Sequence, residues 1–174
     1  MVYREHPPAR SNTFMSAQSK SIIQHLNLTT HPEGGWYRRL FCADSQISTP
    51  RGMRPTRTSI YYLLEHGQQS CWHVILSTEI WHFYAGGPLE LVTYNPVTQQ
   101  VQQRVLGDDR EAGQLRRAVV PGKVWQCARS LGPYALLVCD VAPGFDFADF
   151  QFVRDIPDAQ RHFQGEMAAL QCFW

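Results

Sequence analysis

The chain has 174 residues, 44% of them hydrophobic and 18% charged, a length of one domain and a composition that buries a core instead of staying disordered. Sixteen Lys and Arg against fifteen Asp and Glu leave a formal net charge of +1, with no basic run, which argues against nucleic acid as a partner. No apolar stretch approaches the ~20 residues of a membrane span, and residues 1–20 lack the apolar core of a secretory signal, so neither a membrane partner nor export is expected.

The five cysteines, Cys42, Cys71, Cys127, Cys139 and Cys172, are odd in number and widely spread, with no CxxC pair. This fits neither a disulfide framework nor a zinc site, and a reducing cytoplasm is the expected setting.

Residues 1–15 mix Pro, Arg and small polar residues without period and read as a flexible extension. Residues 16–174 read as one domain. It opens on a short amphipathic helix, with Ile22, Ile23 and Leu26 at helical spacing and Ser16 or Ser19 able to cap its start.

Beyond His31 the helical period gives way to β-rich runs: Gly35–Phe41, Thr56–Leu64, Cys71–Leu76, Glu79–Ala85, Leu89–Tyr94, Gln99–Leu106, Leu115–Val120, Val124–Ala128, Ala135–Val141 and Phe147–Phe152. Turn signals such as Gly86-Gly87-Pro88, Asn95-Pro96 and Pro143-Gly144 separate them. This is an all-β signature, and short connections between successive strands predict antiparallel pairing in a barrel or sandwich. A last helix is expected over Pro157–Leu170, where Phe163, Met167 and Leu170 recur at spacings of four and three.

The segment GQQSCWHVILSTEIWHFYAG sets Gly67, His73, Glu79 and Gly86 on a recognisable register: Gly, five residues, His, one residue, a second ligand position, three residues, Glu, six residues, Gly. Even separations on a strand share a face, so His73 and position 75 look the same way, and Glu79 joins them from the next strand. Downstream, Pro121, Lys123 and Gln126 loosely resemble a second cupin motif, which has a Gly at the position of Lys123 and a His at that of Gln126.

These two patterns resemble the paired motifs of the cupins. The stretches LNLTTHPEGGWYRRLF, TSIYYLLEHG, SCWHVILSTEIWHFYAGGPLEL, PGKVWQCA and VAPGFDFADF resemble, in order, the family called cupin-5 or DUF985, over about Leu28 to Val153. The resemblance implies a cupin double-stranded β-helix, a jelly-roll barrel with short N-terminal and C-terminal helices. It also implies a homodimer and an activity that is largely undefined.

A catalytic cupin metal site takes two His and a Glu from the first motif and a His from the second. Here Ile75 stands at the second His and Gln126 at the third. An aliphatic side chain cannot coordinate and an amide oxygen is a weak ligand for first-row metals, so no cofactor is expected and a divalent metal on His73, Glu79 and Gln126 is the disfavoured alternative.

Without a metal, an imidazole beside a carboxylate is a plausible acid/base pair. His73 is assigned as base, Glu79 as its orienting partner, and Tyr37 or Tyr62 as the acid. Glu33 and Arg38 from the His31–Arg38 segment are candidate ligand-binding residues at the mouth, although the same segment reads equally well as a turn. Trp81 and Phe83 share the face of Glu79 and are expected to line or floor the cavity, where a flat heterocycle can stack. Gln126 completes the candidate set. His82, three residues from Glu79, is expected outside the cavity, and Asp146 and Asp149 read as solvated loop carboxylates.

Two functions compete: a metal-independent enzyme of the epimerase or isomerase kind, and a module that binds a small molecule without turnover. A weakly metallated enzyme is the third possibility.

Overall fold

The computed structural model describes residues 16–159 and residue 163. Residues 1–15, Cys172 and most of the helix expected over Pro157–Leu170 lie outside the described residues; helical geometry is present at 157–159 and at Phe163.

Helix α1 spans Ala17–His25, and Ser16 caps it, its Oγ accepting from the Ser19 amide at 3.0 Å. Ile23 packs with Leu28, Leu63, Tyr134 and Leu136 on the outside of a sheet. The contact is locked by polar groups: the buried Glu65 carboxylate accepts from Ser19 Oγ at 2.6 Å and from Trp36 Nε1 at 3.1 Å. A buried carboxylate with two donors avoids the penalty of an unsatisfied one.

Thirteen strands follow: β1 Thr29–Thr30, β2 Trp36–Cys42, β3 Gln46–Thr49, β4 Gly52–Pro55, β5 Thr58–Glu65, β6 Gln69–Ile75, β7 Thr78–Gly86, β8 Leu89–Asn95, β9 Gln100–Leu106, β10 Arg117–Val120, β11 Trp125–Ser130, β12 Tyr134–Ala142 and β13 Phe150–Phe152. They form a six-stranded sheet in the order β1-β2-β5-β12-β7-β10, a five-stranded sheet in the order β13-β6-β11-β8-β9, and the small hairpin β3-β4. All the strand pairs are antiparallel.

The two large sheets face each other across a core of Tyr62, Leu64, Trp81, Phe83, Leu91, Leu106 and Leu137. The outer face of the five-stranded sheet is covered separately, Trp72, Val74, Tyr94 and Trp125 packing with Val153 and Phe163. Trp72 thus faces away from the barrel interior.

Two segments depart from expectation. The β3-β4 hairpin has no clean alternation and two prolines nearby, so its sequence reads as loop. In the run Phe147–Phe152 the first half is a 3-10 turn over Phe147–Asp149, because Asp146 Oδ1 takes the Ala148 amide at 2.9 Å and closes a local turn before the strand can begin.

Candidate functional site

Position along the strands divides the inner face of the six-stranded sheet into two ends. Tyr37 and Arg39 on β2, Thr58 and Ile60 on β5, Glu79 on β7, and Cys139 and Val141 on β12 line a cavity at one end. Further along the same faces, Tyr62, Trp81, Phe83 and Leu137 fill the other end with packed core. The five-stranded sheet contributes His73 and Ile75 from β6 and Phe150 from β13, and the turns add His31, Glu33, Phe145 and Phe147. The volume open to the centres of water molecules is about 50 Å³, room for several waters or a small ligand.

The turn between β1 and β2 reaches over this cavity. His31 N donates to the Gly35 carbonyl and Gly34 N to the His31 carbonyl, each at 3.0 Å. Gly34 and Gly35 have φ of 109° and 73°, and a Cβ on Gly35 would lie 2.5 Å from the Leu63 carbonyl. Only glycine lets the loop lie so close to the sheet. The segment is therefore a turn and a cavity wall at once.

That turn sets Glu33, 6% exposed, against His73, 2% exposed. His73 Nδ1 lies 2.8 Å from the Cys71 carbonyl and 3.0 Å from Glu33 Oε2. A carbonyl only accepts, so Nδ1 carries the hydrogen and the lone pair belongs to Nε2, which makes no hydrogen bond among the described residues. Burial holds the imidazole neutral, lowering its pKa to about 4, and lowers that of His31 to about 3 with help from His73. Burial and the nearby Glu79 push the Glu33 carboxyl well above the usual carboxylate range. Burial thus disfavours charge on both partners of the Glu33–His73 contact.

Glu79 is 7% exposed, and its pKa is raised to about 7 by burial, against hydrogen bonds from Gln126, Cys139 and Trp81 that favour the ionised form. Gln126 Nε2 donates to Glu79 Oε2 at 2.5 Å, while Gln126 Oε1 accepts from Trp81 Nε1 at 3.1 Å. One amide thereby joins a core indole to the cavity carboxyl.

Among the residues singled out from sequence, His73, Glu79, Tyr37 and Glu33 lie on the cavity wall. Several assignments are corrected. Glu33 and the Cys71 carbonyl, not Glu79, hold the His73 ring. Burial lowers the proton affinity of the His73 imidazole and raises that of the Glu79 carboxyl. Tyr62 is fully buried outside the cavity lining and donates to the Gly34 carbonyl at 2.8 Å. Trp81 and Phe83 share the face of Glu79 but belong to the packed end, and Gln126 stands behind Glu79 instead of on the wall.

Arg38 points the other way, its guanidinium 5.7 Å from the Tyr61 ring, and its neighbour Arg39 lines the cavity. Strand alternation from Tyr37 is the signal that identifies Arg39. His31 and Cys139 also line the cavity and were passed over by sequence reasoning, as were Thr58, Ile60, Val141 and Phe150. His82 lies outside, half-exposed, with Nε2 3.2 Å from Asp140 Oδ2.

Asp149 is not a solvated loop carboxylate. It is 5% exposed and accepts from Arg54 Nε and Nη2 at 2.9 and 3.0 Å, with Arg51 Nη1 at 3.1 Å. The paired fork ties the β3-β4 hairpin to the loop carrying Phe145, Phe147 and Phe150.

The metal-ligand set of the cupin motifs does not assemble. Ile75 lines the cavity where a second His would, Gln126 Oε1 is engaged by Trp81, and no group of three or more His, Cys, Asp or Glu among the described residues is placed to hold a metal ion. Among the same residues no helix is long and apolar enough to cross a membrane.

A search of curated proteins gives no significant match. Solved structures do match. A hypothetical protein from Leishmania major is 28% identical over 86% of this chain and 93% of its own, with a TM-score of 0.76. A protein from Shewanella oneidensis is also 28% identical, over 86% and 94%, with a TM-score of 0.74. Oxalate decarboxylase from Bacillus subtilis, 12% identical over 78% of this chain and 33% of its own with a TM-score of 0.58, shares the fold. The profile of the family described as Cupin superfamily (DUF985) matches residues 20–153. With two facing antiparallel sheets around a one-ended cavity and a profile match over most of its length, the chain belongs to the DUF985 family of the cupin superfamily.

Proposed function

We propose that the cavity binds a small polar or heterocyclic molecule and moves a proton on it without a metal, in the manner of cupin epimerases and isomerases. The observation that carries this reading is Glu79, a buried wall carboxyl whose proton affinity sits near neutrality, facing the same small space as a neutral imidazole. A carboxyl poised there exists in both protonation states at physiological pH, which general acid–base catalysis requires.

In this reading Glu79 takes a proton from one position of the ligand and returns it at another, so the reaction is a net isomerisation with no co-reactant. His73 Nε2 accepts a hydrogen bond from a ligand hydroxyl or N–H. Its orientation is held by the Cys71 carbonyl and Glu33. Tyr37, on the same wall, is the available phenol. The reading extends to a homodimer in a reducing, cytoplasmic setting, supported by the exposed Leu40 and Phe41 on β2 and by the absence of a disulfide among the described residues.

Native mass spectrometry with metal analysis tests the binding half. A stoichiometric small molecule without a first-row metal is expected, and stoichiometric iron, manganese, nickel or zinc would overturn the metal-free mechanism. The ligand so identified is then incubated in D2O and followed by NMR. Wild type should exchange a carbon-bound hydrogen at least a hundredfold faster than Glu79→Gln; equal rates would leave a binding protein without proton transfer.

A further inference from the structure

The charges around the cavity are lopsided. Burial disfavours charge on His31, Glu33 and His73, lowering the pKa of the two imidazoles to about 3 and 4 and raising that of the Glu33 carboxyl. Arg39 is the one Lys or Arg on the lining among the described residues, and it stands at the exposed rim. Among the described residues its guanidinium makes no ion pair or hydrogen bond, whereas Arg54, Arg57, Arg116 and Arg129 each face a carboxylate. An arginine always carries its charge and presents a planar fork of donors matched to a carboxylate.

Below the rim the walls are flat and apolar. Phe150 stacks on the His73 ring with centroids 5.3 Å apart and planes 21° from parallel, and Phe145 meets it edge-on at 6.1 Å. Ile60 and Val141 come from the opposite sheet.

Building on the reading of this cavity as a ligand site, we infer that its ligand is a small, flat organic monocarboxylate. The carboxylate docks on Arg39 at the rim. The body lies between Phe150 and the aliphatic wall of Ile60 and Val141, and the inner end reaches His73 and Glu79. The arrangement separates the anchoring charge from the proton-moving group, as a small acid with a reactive polar substituent at its far end requires. A cavity with about 50 Å³ open to water centres favours a single ring or a short chain over a nucleotide.

Benzoate and its neutral isostere benzamide test the inference by isothermal titration on the full chain after exhaustive dialysis. Wild type should bind benzoate at least tenfold more tightly than benzamide, and Arg39→Gln should bring the two affinities together while leaving the melting temperature unchanged. Equal affinities in wild type, a preference that survives Arg39→Gln, or no benzoate binding would each overturn it. Ile75→Trp, or Ile60→Phe if the first variant melts early, fills the cavity and separates the two levels. If wild type binds both probes equally and the filled variants bind neither, the cavity reading stands and the carboxylate assignment falls. If binding persists in the filled variants, the probes lie elsewhere and both fall.

Discussion

His73 is both buried and bonded. Its Nδ1 satisfies the Cys71 carbonyl and faces Glu33 Oε2, so His73→Ala removes a donor from a nearly solvent-free site and opens a void. An unsatisfied buried acceptor costs about 1–3 kcal/mol, and at ~2–4 °C per kcal/mol for a domain of this size the melting temperature should fall by several degrees. Ligand affinity should fall with it. A drop in melting with unaltered affinity for the co-purified molecule would make His73 a structural histidine only.

Glu79 supplies a prediction with a definite sign. Unfolded, it titrates at its ordinary 4.5, and folded at about 7, so between those values the native state binds more protons and stability falls as pH rises. Glu33 acts in the same direction. His31 and His73 act oppositely: their ordinary value is 6.5 and their folded values are about 3 and 4, so their contribution is lost as pH falls below 6.5. Glu79→Gln should therefore gain on wild type steadily from pH 4.5 to 7, by on the order of 3 kcal/mol at most, and then hold level. Urea unfolding across this range measures the difference. A gap independent of pH would mean that Glu79 titrates normally in the fold.

At the scale of elements, the cavity mouth depends on an ionic clasp. Arg54 on β4 grips Asp149 with two hydrogen bonds, Gly144 N donates to the Pro55 carbonyl at 2.7 Å, and Phe145 N donates to Thr58 Oγ1 at 2.9 Å. Arg54→Lys keeps the charge but loses the fork. Amides of residues 145–150 should then exchange hydrogen faster by mass spectrometry, while those of β5, β7 and β12 keep wild-type protection. The Arg54 guanidinium lowers the Asp149 pKa, so the clasp contributes above the ordinary aspartate value and is lost as pH falls through the depressed one. Unchanged exchange at 145–150 would show that the backbone bonds alone hold the loop.

This element is also where sequence reading had least purchase. Nothing local in SQIST or GMRP marks a hairpin, and nothing in PGFDFADF marks Asp149 as buried, because its partner Arg54 is nearly a hundred residues away. Arg39 was within reach, since alternation from Tyr37 leads to it. The choice of Arg38 followed the motif segment instead of the strand period.

For the whole molecule, the short β1 pairs only with Trp36 and Tyr37, and no other described residue pairs along the rest of that edge of β2, where Leu40 and Phe41 are exposed. An open edge with apolar side chains invites a second chain. Light scattering at micromolar concentration should give about twice the 20.0 kDa of the chain, and Phe41→Asp should shift the population toward monomer. A wild-type monomer would contradict the dimer.

Legible in the chain alone were the class of fold, the short first helix, the central strands to within a residue or two, and the approach of His73 and Glu79 to one space. Periodicity and motif spacing are local, and a strand carries its own record of which side chains share a face. How far along each face the cavity extends follows from the closing of the two sheets, not from the strand period. Trp81, Phe83 and Tyr62 obey the same alternation as Glu79, yet they fall in the half of the barrel that packing closes. The same closing of the sheets sets the proton affinities of the cavity groups. A pKa depends on the depth of burial and on neighbours from other strands, and those are set by the closing of one sheet over the other: Glu33 and the Cys71 carbonyl against His73, Gln126 and Cys139 against Glu79.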